Sequence, residues 1–160
     1  TRLANTLGLA AEARRARAGL GEALVSSGET DEGTAILRRV MREAGGRCGD
    51  RGALANAAIG LSRAMVSREL GEDAMRYAEL ALADAGRPII TVRALLALAE
   101  AQMVSGQTRH ACRSFQKAAD GALAVGQGLL RSRAETRLVD LELIYGVSSD
   151  EHAMSSSARL

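Results

Sequence analysis

Aromatic residues make up only 2% of this chain, and tryptophan is missing altogether. Its core must therefore be built from Ala, Leu, Val, Ile and Met. Strands favour β-branched and aromatic side chains, so the composition argues against a β fold. Proline occurs once, at Pro88. Long stretches thus escape the lost N–H and ring clash that break a helix. Lysine also occurs once, at Lys117, so nearly all the positive charge is Arg. The net charge of +2 is too small to hold a nucleic-acid backbone by itself. The only cysteines are Cys48 and Cys112, at a spacing that fits no zinc or thioredoxin motif. Two free thiols suit a reducing cytoplasm, with one disulfide as the alternative. No signal peptide and no run of about 18 apolar residues is present, so no membrane segment is expected.

What is present is a chain of 160 residues with 47% hydrophobic content. That length suits one compact domain or about four short helical repeats. The chain opens at Thr1 rather than Met and is read as a single domain, 1–160, from a longer protein. Residues 1–9 carry Leu3, Leu7 and Leu9 and read as the tail of a preceding helix. A first full helix is expected over 10–27, with Ala13, Ala16, Leu20 and Leu24 as its apolar stripe, ended by Gly28. Thr30 then caps a helix to about Glu43, with Asp31 and Glu32 in its first turn, where the helix dipole favours acids. Ile36, Leu37, Val40 and Met41 are its apolar residues. Residues 45–50 form a loop, and Asp50 caps a helix over 51–69 with Leu54, Ala58, Leu61 and Met65 inward. Further helices are expected over 72–85 (Ala74, Ala78, Ala81 inward, closed by Gly86), over 89–105 after Pro88, and over 107–125. Another spans 127–145, with Leu130, Ala134, Leu138, Leu141 and Tyr145 on one side. Ser148-x-x-Glu151 resembles a capping box for a short eighth helix.

Corresponding leucines recur at Leu20, Leu61, Leu98 and Leu138, at intervals of 41, 37 and 40 residues. A near-constant period of this size marks a stacked helical array. The best unit is LAEAQMVSGQTRHACRSFQKA, residues 98–118. It has Leu98-Ala99, a turn at Gly106, then Ala111-x-x-x-Phe115-x-x-Ala118. These spacings resemble the tetratricopeptide repeat, W-x-x-L-G-x-x-Y followed by A-x-x-x-F and Pro, although that unit is about 34 residues long. Leu20-Gly21 with Gly28, Leu61 with Ala74, Ala78 and Ala81, and Leu138 with Gly146 give weaker copies. The aromatic positions of the pattern are not aromatic here, and the longer period means longer turns. Long Ala-rich repeats of this kind look most like the helical sensor arrays of large bacterial LuxR-type regulators. The resemblance implies an all-α, right-handed, tetratricopeptide-like solenoid of about four helix-turn-helix units. Its repeats would span about 10–44, 51–86, 89–125 and 127–158.

In such arrays the first helix of each repeat lines the concave side. Counting from each leucine, the positions five before are Arg15, Asn56, Arg93 and Arg133. The positions two after are Glu22, Arg63, Glu100 and Asp140. Seven residues, about two turns, separate the two sets, so they share a face. They form an Arg-rich row beside a mostly acidic row, able to grip a peptide of mixed charge through two-pronged guanidinium contacts. The alternative is a solvated helix face whose pairs are worth under about 1 kcal/mol each. The Lys and Asn set with which some tetratricopeptide proteins clamp a terminal carboxylate is missing. Arg14, Arg15 and Arg17 read as a solvated face rather than a phosphate patch. Met65, Met75 and Met103 read as core filler. His110 with Cys112 lacks the further ligands of a metal site and the base and orienter of a thiol catalyst. His152 is expected to be exposed.

No phosphate loop or nucleophile–base set appears, so no enzyme, cofactor or metal is expected. The expected function is a non-enzymatic protein-interaction or ligand-sensing scaffold in a bacterial transcriptional or signalling regulator. It would take a protein segment or a small inducer in the groove, without direct nucleic-acid binding by this stretch. The alternative is a structural self-association module, that is, a homo-oligomer.

Overall fold

A computed structural model describes residues 2–45 and 49–146, with side chains from Gly8 onward. The described residues form seven helices and no strand. They are α1 (Arg2–Ser27), α2 (Thr30–Ala44), α3 (Arg51–Val66), α4 (Gly71–Ala83), α5 (Pro88–Val104), α6 (Thr108–Ala124) and α7 (Gly128–Tyr145). Each helix packs against the next in sequence. The odd-numbered helices also meet: α1 packs on α3 and α3 on α5, while α5 and α7 barely touch.

The boundaries follow from local chemistry. Gly28 ends α1 at a φ of +97°, a left-handed conformation that glycine adopts without a Cβ penalty. Asp50 caps α3 by accepting a hydrogen bond from the Ala53 N–H at 3.0 Å, which satisfies one donor left over at the helix start. Pro88 stands in the first turn of α5, where its missing N–H costs nothing. Arg51, at the start of α3, donates to the Ala83 carbonyl at 2.8 Å and to Asp84 at 2.9 Å. It thereby ties the α3–α4 hairpin and covers a carbonyl left open at the end of α4.

Several expectations are corrected. Residues 2–9 belong to α1, which runs unbroken through Ser27. Its buried positions are Ala18, Gly21 and Val25, while Ala13 and Ala16 are exposed and Leu20 is 53% exposed. The expected stripe failed because α1 is rich in Ala and Leu around its circumference, and its neighbours α2 and α3 select the face. Thr30 lies inside α2; Glu29 occupies the cap position and makes no side-chain cap bond. Helix α4 stops at Ala83 with Asp84 at its C-cap, short of Gly86. Tyr145 is exposed at the end of α7. Arg14 is not on a solvated face. Its side chain is 12% exposed and pairs with Asp50 at 3.4 Å, joining α1 to the start of α3. Cys48, His152 and the possible helix after Ser148 lie outside the described residues.

The core runs in three connected clusters. One joins α1, α2, α3, α4 and, through Ala101, α5 around Leu37, Val40 and Leu61. The second joins α3, α4 and α5 around Ile59, Ala78 and Ala94. The third joins α5, α6 and α7 around Leu96, Phe115 and Leu141. Helix α3 buries ten of its sixteen residues because it is covered on several sides. That is why it is apolar around most of its surface, whereas α2 and α6 are one-sided. Phe115 is fully buried among Ala111, Ala118 and Leu138, and burying such a ring is worth about 1.5–3 kcal/mol.

The two helices of a hairpin meet at a contact that recurs twelve residues apart in sequence. A Cβ on Gly33 would lie 2.6 Å from the Gly21 carbonyl oxygen, and a Cβ on Gly21 would lie 2.7 Å from Leu37 Cγ. In the next hairpin the Ser62 hydroxyl donates to the Ala74 carbonyl at 2.8 Å. In the third, Ala99 and Ala111 lie fully buried in one cluster. Small residues at these places let the backbones close.

Candidate binding cleft

The odd-numbered helices carry a cleft of about 350 Å³ on their shared face. Its apolar lining is Val25, Val66, Met103 and Val104. Arg63, Glu100, Arg133 and Arg137 supply the charge, and Ser26 and Ser67 complete the wall. Both serine hydroxyls donate to carbonyls of their own helices. The lining runs from α1 and α3 across α5 to α7, and α5 and α7 scarcely meet.

The lining repeats along the chain. Arg63 and Glu100 stand two residues after their marker leucines. Val25, Val66 and Met103 stand five after, and Ser26, Ser67 and Val104 six after. Steps of three and four residues keep these positions on one side of each helix. Helices α1, α3 and α5 therefore contribute equivalent side chains to one surface, whereas α7 contributes Arg133 and Arg137 from other positions.

Three of the eight residues singled out in the sequence, Arg63, Glu100 and Arg133, line the cleft, and Glu22, Arg93 and Asn56 are linked to Arg63 by side-chain contacts. Arg63 on α3 and Arg93 on α5 donate to the two carboxylate oxygens of Glu22 on α1. Arg93 also donates to the Asn56 side-chain oxygen at 2.8 Å. One acid thus ties three helices. Glu100 accepts from Arg133 at 2.6 Å, a pair that bridges α5 to α7. The other two face other partners: Arg15 lies 3.8 Å from Asp50, and Asp140 lies 3.5 Å from Arg137. The two rows expected to face a ligand thus largely pair with each other. Glu22, Arg63 and Arg93 are only 16–25% exposed, so solvent screens these pairs less than open surface pairs.

Burial makes Arg63 a weaker base than a free guanidinium. The Glu22 carboxylate opposes that trend, Arg133 and Arg93 reinforce it, and Glu100 again opposes it. The Nε of Arg63 is buried without a hydrogen-bond partner.

Arg137 and the apolar floor escaped the sequence reading. The signal was present: three inner helices carry Val or Met five residues after the marker leucine. Met103, expected as core filler, packs against the third core cluster and also lines the cleft. Cys112 is half-buried, and His110 is exposed on the same helix. Burial, with help from the nearby Glu142 charge, pushes the Cys112 thiol up, away from a reactive thiolate. Among the described residues, no group of three or more His, Cys, Asp or Glu is placed to hold a metal ion. No helix among them is long and apolar enough to cross a membrane. Compared with known proteins, the chain matches no family model and no curated protein sequence.

Proposed function

We propose that this chain is a non-enzymatic binding scaffold that receives a protein segment in the cleft on its odd-numbered helices. The observation that carries this reading is the cleft itself. It has an apolar floor and a charged rim, and equivalent positions of successive helices contribute to it. The finer architecture proposed is a right-handed, tetratricopeptide-like stack of about four hairpins. The twelve-residue hairpin contact and the ordered lining support it. The proposed setting is the sensor region of a cytoplasmic LuxR-type bacterial regulator; its support is the sequence resemblance of the repeats.

Selection from a random-peptide library tests the scaffold reading. Selected peptides are expected to lose binding to a Met103→Arg variant that keeps its helical circular dichroism. Binding that persists unchanged in that variant excludes the cleft as the receiving site.

A second reading, self-association, is favoured by a separate observation. Leu129 and Leu143 on α7 are 84% and 80% exposed, with Val139 and Ile144 also open. An apolar strip of this kind marks a contact surface in many proteins.

A further inference from the structure

We propose that the ligand of this cleft is an acidic peptide segment carrying an aliphatic side chain. The aliphatic group would rest on the floor and the carboxylates would engage Arg133 and Arg137. This identification rests on the binding-scaffold reading above.

The floor fixes the apolar half of the ligand. Val25, Val66 and Met103 offer no hydrogen-bonding group, so a polar side chain placed on them would lose water without replacement. The rim fixes the charge. Among the charged residues that line the cleft, three arginines (Arg63, Arg133, Arg137) stand with one acid, Glu100, while Glu22 and Asp140 pair with Arg63 and Arg137 from outside the lining. That lining carries a positive surplus. A cationic ligand would meet that surplus directly, whereas an anionic one offsets it.

Glu100 shows how a ligand carboxylate would be held. Its side chain accepts from Nη2 of Arg133 at 2.6 Å. A guanidinium has five N–H donors in a planar fork, and one of these is directed at Glu100. The pair of Arg137 with Asp140 is long, at 3.5 Å, and joins residues three apart on one helix. Such exposed pairs are weak and exchange readily for a better acceptor. Openness favours a peptide over a small molecule. Arg133 and Arg137 remain about half exposed, whereas small-ligand sites bury most of their guest. A chain lying across the rim loses little by that openness.

The test uses three dye-labelled peptides read by fluorescence anisotropy, with the central sequences Asp-Leu-Leu-Asp, Lys-Leu-Leu-Lys and Asp-Ser-Ser-Asp. The first is expected to bind at least about tenfold more tightly than either comparator and to weaken as salt is raised. An Arg133→Gln, Arg137→Gln double variant should weaken it by about tenfold or more, while exposed Arg113→Gln should leave it unchanged. Equal binding of the lysine or serine peptide, no binding of the first peptide, or indifference to the double variant overturns the acidic-aliphatic assignment. Hexanoate alone binding as tightly as the first peptide would assign the site to a small acid and overturn the peptide part. The library selection separates the two levels. Cleft-dependent binders without acids reject this ligand class and leave the scaffold reading intact. Failure to select any cleft-dependent binder rejects both.

Discussion

At Gly33 two physical effects oppose each other, and their sizes decide the outcome. Helix propensity alone favours alanine over glycine by about 1 kcal/mol. Against it stands the Gly21 carbonyl oxygen, 2.6 Å from where the new Cβ would sit, with Val25 crowding the same point. A backbone oxygen cannot rotate aside, so the hairpin must open. Gly33→Ala is therefore expected to destabilise by a net of about 1–2 kcal/mol, a Tm drop of roughly 2–8 °C by thermal denaturation. Cys112 offers a second measurement. Its thiol is pushed up by burial first and by Glu142 second, so less thiolate exists at mildly alkaline pH than on a free cysteine. In a Cys48→Ser variant, alkylation of Cys112 at pH 8 should be several-fold slower than that of a cysteine peptide. The difference should narrow as pH rises beyond the ordinary thiol range. Equal rates at pH 8 would show that the thiol is not shielded.

At the scale of the helix, the α6 contact gives the sharpest prediction. Ala118 is fully buried beside Phe115. Ala118→Arg forces a long cation into that contact and should cost about 3–5 kcal/mol. Lys117→Ala, on the exposed neighbour, should leave the melting temperature nearly unchanged. How much of each helix was legible depended on how unequal its faces are. Asp50, Pro88 and Gly28 carry strong local signals, and the helix ends they mark were readable to within a few residues. The inward faces of α2 and α4 were readable because Leu37 and Val40, or Ala74, Ala78 and Ala81, stand against charged neighbours. In α1 that contrast is missing. Ala13 and Ala16 look as inward as Ala18, and only packing against α2 and α3 distinguishes them. The rows of the candidate site were legible as a shared face. Their closure onto each other was not, because the Glu22 contacts join residues 41 and 71 positions apart.

Across the whole molecule, α3 and α5 are enclosed while α7 stands at one side, fastened mainly through α6. Its open leucines bear on association. If copies pair through this helix, light scattering should give a mass that rises with concentration, and Leu129→Ser with Leu143→Ser should return it to the monomer. A parent chain that stays monomeric throughout removes the self-association reading. The order of the units carries a further consequence. The position held by Glu22 in α1 is held by Arg63 in α3, Glu100 in α5 and Asp140 in α7. The sign changes from α1 to α3 and again from α3 to α5, but not from α5 to α7. Exchanging Glu22 with Arg63 would leave Arg93 facing an arginine in place of the acid it now holds, so the order of these charges is set by their pairing.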